Sequence, residues 1–70
     1  MKYVVVASKD GFKSPVSEVG YFRAKSDDEA KKIFIVDYSS DSRNWGRYLT
    51  LYRIPLLFPF KKRVFITDND

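Results

Sequence analysis

Between Ser42 and Thr67 the chain carries Arg43, Arg47, Arg53, Lys61, Lys62 and Arg63, and no carboxylate side chain. Trp45, Tyr48, Tyr52, Phe58, Phe60 and Phe65 are interleaved with them. Guanidinium and ammonium groups pair with phosphates or carboxylates, while aromatic rings stack on bases or anchor protein interfaces. The pattern therefore suits a binding surface for single-stranded nucleic acid or for another protein. The competing reading is a core whose rings point inward and whose cations point to water, because successive residues of a strand alternate between its faces.

Catalysis has little to work with. There is no histidine and no cysteine, so the usual zinc ligands and the commonest general base are missing. Asp27, Asp28 and Glu29 form a carboxylate cluster. Ser26 in front of them makes it a helix-capping box, with the Ser26 hydroxyl accepting from the Glu29 N–H and the Glu29 carboxylate reaching back to the Ser26 N–H. No nucleophile–base pair, metal-ligand spacing or phosphate-cradling glycine loop accompanies it. A non-catalytic protein with no metal and no cofactor is expected.

Seventy residues make one domain, near the lower size at which a chain folds unaided. With no disulfide to help, aromatic residues at 17% of the chain must supply much of the core. A net charge of +4 suits an acidic partner, whether nucleic acid, an acidic protein patch or anionic lipid. The apolar run Val4–Ala7 ends at Ser8, Lys9 and Asp10, too early for a signal peptide, and no stretch reaches the ~20 apolar residues of a membrane span. A cytoplasmic location away from membranes is expected, the host cytoplasm if the chain is viral.

These residues need elements to position them. Lys2–Ser8 predicts a strand whose consecutive valines are covered on both faces. Lys9-Asp10-Gly11 signals a turn and Pro15 a connection or edge. Val16 to Ala24 predicts a second strand, with Val19, Tyr21 and Arg23 on one side and Gly20, Phe22 and Ala24 on the other. The capping box then starts a helix whose stripe Ala30, Ile33, Phe34 and Tyr38 packs on the sheet, and Ser39–Ser42 leads out of it. Arg47–Ile54 predicts a third strand, with Leu49 and Leu51 beside Arg47 and Arg53 on one face and Tyr48, Thr50, Tyr52 and Ile54 on the other. Lys61–Thr67 supplies a fourth. The fold class is α+β: an antiparallel sheet of three or four strands with one helix on one face. The core spans residues 2–54, and 55–70 form a C-terminal arm.

That arm contains Leu56-Leu57-Phe58-Pro59-Phe60, five apolar residues in a proline-broken segment. Exposed, they would mark a protein interface; folded back, they would cover the sheet. Lys61-Lys62-Arg63 either contacts phosphates or guards the following strand against edge aggregation. The expected binding residues are Arg47, Arg53, Leu57, Phe58, Phe60, Lys61, Lys62 and Arg63, the phenylalanines as anchors and the cations as steering and pairing groups. Self-association through an edge strand or the arm is a further expectation.

The hairpin, the block Ala24-Lys25-Ser26-Asp27-Asp28-Glu29-Ala30, the helix and the next strand resemble two groups of small proteins. One is the phage-encoded host-takeover proteins of the RNA-polymerase-inhibitor type; the other is the archaeal ribosomal LX family. The resemblance covers Tyr3 to Ile54 and ends after Pro55, so it assigns no binding residue. The phage likeness implies a rigid small domain docking on a protein of host nucleic-acid machinery, a polymerase or a defence effector such as a CRISPR complex. The ribosomal likeness implies direct RNA binding.

Overall fold

The computed structural model describes residues 1–9, 17–55 and 63–68. Its elements run β1 (Lys2–Ser8), β2 (Ser17–Arg23), α1 (Asp27–Ile33), a π-helical segment (Phe34–Ser39), a 3-10 turn (Ser42–Asn44), β3 (Tyr48–Ile54) and β4 (Val64–Asp68). The four strands form one antiparallel sheet in the order β2-β1-β3-β4. This is the α+β class expected from the sequence. The fourth strand begins at Val64, and the expected turn at Asp10-Gly11 lies outside the described residues.

Of the two inner strands, β1 is the more deeply buried. Tyr3, Val4, Val5, Val6 and Ala7 are all buried, as consecutive valines with covered faces require. Directly paired residues of an antiparallel ladder share a face. Tyr3, Val5 and Ala7 therefore lie on the helix side with Leu51 and Leu49 of β3. Ala24, Ala30 and Phe34 complete this core, with Ile33 and Tyr38 packed against it. Burying a side chain such as Phe34 or Leu49 stabilises by roughly 1.5–3 kcal/mol. Seven residues of α-helix would not persist alone, so this packing is what holds α1.

Ser26 caps α1 and its side chain accepts from the Glu29 N–H at 3.2 Å. The return bond differs from expectation. Glu29 Oε2 accepts from the Lys25 N–H at 3.4 Å, one residue earlier than the reciprocal box predicts. After Ile33 the helix widens into the π-helical segment, which brings Tyr38 beneath β2. A Cβ at Gly20 would lie 2.5 Å from the Tyr38 hydroxyl, so the ring fits there because glycine has no side chain. Tyr3, Phe22 and Tyr38 stack in sequence, with centroids 5.5 and 5.9 Å apart.

Both edge strands carry a bulge. On β2 the register passes from Val5↔Gly20 to Val6↔Glu18, which leaves Val19 as the extra residue. On β4 it passes from Leu51↔Thr67 to Tyr52↔Phe65, which leaves Ile66. Val19 and Ile66 both pack against the core. The sequence pattern placed Val19 with Tyr21 and Arg23; the bulge moves it to the helix side, because an inserted residue resets the alternation.

Candidate binding surface

The sheet face away from the helix carries rings in one row. Val4 pairs with Tyr21 on one side and Tyr52 on the other, and Tyr52 pairs with Phe65. The row Tyr21–Val4–Tyr52–Phe65 thus crosses all four strands. Tyr21 is 48% exposed and Phe65 58% exposed, at the two ends, while Val4 between the tyrosines is buried. Tyr52 is half-buried and meets Phe65 edge-on, with centroids 6.1 Å apart. Lys2 Nζ stands 5.3 Å from the centre of the Tyr21 ring, and Arg23 is paired with Lys2 across the ladder. The described rings of the basic half do not fill the core. Trp45, Tyr48 and Phe65 are exposed, and the buried positions of β3 go to Leu49, Thr50 and Leu51.

Tertiary structure balances the cations that sequence position separates from acids. Arg53 Nη1 lies 2.8 Å from Asp27 Oδ2, and Arg63 Nη2 lies 2.6 Å from Glu18 Oε2. Arg43 Nη2 lies 2.6 Å from Asp41 Oδ2. The Tyr21 hydroxyl also donates to Glu18, so one carboxylate holds a ring of the row and the arginine that precedes β4. The Glu18 carboxyl is held below the usual carboxylate range by the Tyr21 hydrogen bond first and by Arg63 second. Asp41 is lowered by its bonds from Arg43. Asp27 is lowered by the Tyr3 hydroxyl first and then by Arg53. Burial, with the bond to Asp27 second, pushes the Tyr3 phenol up to about 12.

The expected binding residues do not assemble into one patch. Arg53 points to the helix side, where it is tied to α1 through Asp27. Arg63 reaches from the start of β4 to β2, joining the two edge strands. Arg47 forms no ion pair among the described residues and lines a cleft of about 310 Å³ beside Asn44, Tyr38 and Ser17. Leu57, Phe58, Phe60, Lys61 and Lys62 lie outside the described residues. Tyr21, Tyr52 and Lys2 were not among the expected binding residues. Alternation put Tyr21 and Tyr52 on strand faces, but only the register shows that they share a row.

Residues 44–47 form a tight turn that displays Trp45. Arg47 N donates to Asn44 O at 3.1 Å. Trp45 has φ −62 and ψ 136, and Gly46 has φ +82, the geometry of a type II turn. Asn44 Nδ2 donates to Tyr38 O at 2.9 Å and Asp41 caps the preceding 3-10 turn, which fixes the entry to the turn, and β3 begins at Tyr48 directly after it. Trp45 at its crest is 72% exposed. Among the described residues no helix is long and apolar enough to cross a membrane. Comparison with family models, curated proteins and solved structures finds no match to this chain.

Proposed function

We propose that the chain is a non-catalytic binding protein that docks on a protein of nucleic-acid-processing machinery and modulates or inhibits it. The observation that carries this reading is the outward row of Tyr21, Tyr52 and Phe65, with Glu18 holding the Tyr21 hydroxyl and already balancing the charge of Arg63 beside it. Aromatic anchors within a polar rim are what protein interfaces use, and Tyr and Arg are enriched among residues that dominate binding. A phosphate chain would have to displace the Glu18 carboxylate to reach the Arg63 guanidinium. The class of partner rests on the +4 net charge and on the likeness of the block Ala24–Ala30 to phage host-takeover proteins. The test is capture from source- or host-cell lysate with and without nuclease. A defined protein retained after nuclease by the native chain, and lost on Tyr21→Ala with Phe65→Ala, supports the reading. Capture that disappears with nuclease refutes it.

One observation favours a second reading, direct binding of single-stranded nucleic acid. Lys2 over Tyr21, with Tyr52 and Phe65 in the same row, gives bases a stacking platform beside a cation. That reading requires affinity to fall steeply with salt, with a logarithmic slope of about −0.7 for each phosphate neutralised.

A further inference from the structure

The cleft lined by Arg47 adjoins the aromatic row through Glu18, which lines the cleft and accepts from the Tyr21 hydroxyl, but it opens beyond the end of that row. One wall is the β2 edge at Ser17–Val19; the other is the end of the π-helical segment and the turn after it. Several of its polar groups are already matched. Glu18 holds Tyr21 and Arg63, Asp41 holds Arg43, and the Asn44 amide is spent on the Tyr38 carbonyl. Arg47, half-buried in the wall, and Asp37 have no ion-pair partner among the described residues. Between two lining residues, Asn44 and Arg47, the fixed turn raises Trp45 into solvent.

The geometry points to this cleft and the Trp45 turn as a docking site for a peptide segment of a partner protein. The segment carries a carboxylate for Arg47, a donor for Asp37 and an apolar side chain against the indole. A phosphodiester chain fits worse. The lining holds Glu18, Asp37 and Asp41 against Arg43 and Arg47, so negative side chains outnumber positive ones. A peptide can present both signs at that spacing; a nucleic acid presents only one. An exposed tryptophan beside an arginine with no ion pair among the described residues also matches the residue types that carry most binding energy at protein interfaces. Turn and cleft are preorganised, so binding orders few additional side chains. This inference rests on the reading that the partner is a protein, and it assigns that partner a second contact separate from the sheet face.

The probe is a random-peptide library displayed on phage and selected against the immobilised full chain, followed by synthesis of the enriched peptide. Enriched sequences should combine an acidic residue, a basic or other hydrogen-bond-donating residue and an apolar one. The synthetic peptide should shift the emission of Trp45, the single tryptophan of the chain. Trp45→Ala and Arg47→Glu should each weaken it about tenfold or more, and Arg47→Lys should retain part of the affinity. Trp45→Ala should leave the melting temperature unchanged, which separates lost contact from lost fold. The inference is overturned by a library that enriches nothing, by peptides that bind Trp45→Ala as well as the native chain, or by emission that answers to oligothymidylate and not to peptide. If lysate capture fails on Tyr21→Ala with Phe65→Ala yet survives Trp45→Ala, the sheet-face reading stands and this one falls.

Discussion

The Tyr3 phenol donates to Asp27 Oδ1 at 2.7 Å, and this single bond ties the buried centre of the sheet to the first turn of α1. Arg53 completes the clamp from the neighbouring strand, 2.8 Å from the other carboxylate oxygen. Three elements that are distant in sequence therefore meet on one carboxylate. That same carboxylate also favours the positive end of the helix.

Removing the Tyr3 hydroxyl tests the clamp. Tyr3→Phe should cost about 1 kcal/mol, the usual net worth of one such bond, and Asp27→Asn should cost a comparable amount. Chemical denaturation of the two single variants and the double variant measures the coupling, which should be clearly non-additive.

The same contacts set the response to pH. The folded-state pKa of Asp27 is depressed, so its contribution is present above the ordinary value of 3.8 and is lost as pH falls below it. The Tyr3 phenol is raised from 10.0 to about 12, so its contribution is complete below pH 10.0 and disappears as pH rises through about 12. Melting temperature against pH should be flat between these limits. Asp27→Asn should make the acid limb shallower, with Glu18 and Asp41 supplying the remainder, and Tyr3→Phe should do the same to the alkaline one.

Thr50 offers a gain. Its Oγ1 is buried and has no hydrogen-bond partner among the described residues. Valine has nearly the same shape, suits a central strand and leaves no polar atom to desolvate. Thr50→Val should stabilise by about 1 kcal/mol, seen as a raised denaturation midpoint with unchanged slope.

Gly20 and Tyr38 form a matched pair. A Cβ at position 20 would meet ring atoms of Tyr38 at 2.5, 2.9 and 3.1 Å. The ring is stacked on Phe22 and cannot simply swing away. Gly20→Ala should cost about 1–3 kcal/mol. In a background already carrying Tyr38→Ala, the same substitution should cost much less, which a double-mutant cycle will measure.

Gly46 is constrained for a different reason. Nothing lies within 4 Å of where its Cβ would be, yet its φ is +82. Gly46→Ala should therefore cost about 1–2 kcal/mol from backbone strain alone. Gly46→Asn should cost less, because asparagine tolerates this conformation. Comparing the two melts isolates the conformational component.

The sequence made the helix start legible because capping is a local arrangement: Ser26 and Glu29 lie within one turn. Leu49 and Leu51 were readable as sharing one face through plain alternation, but alternation did not show that this face is core or that Thr50 opposite is buried too. Val19 was not, because a bulge inserts a residue without any fixed residue-type signature. The ion pairs were hidden for a stronger reason. Arg63 and Glu18 are 45 positions apart, and Arg53 and Asp27 are 26 apart, so a window free of acids in sequence is not free of them in space. The aromatic row shows the same limit. Tyr21, Tyr52 and Phe65 come from three strands, and only strand order places them in line.

The paired bulges also bear on how this molecule behaves when concentrated. Val19 and Ile66 interrupt the two outer strands beside the same central row, Val5 and Leu51. A neighbouring chain seeking to extend the sheet along β4 would find only Val64–Phe65 and then Thr67–Asp68 in regular register. Fibril growth needs long, flat, uninterrupted edges. In a chain rich in β-branched and aromatic residues, the insertions that fill the core thus also shorten the regular stretch of edge that a further copy could extend.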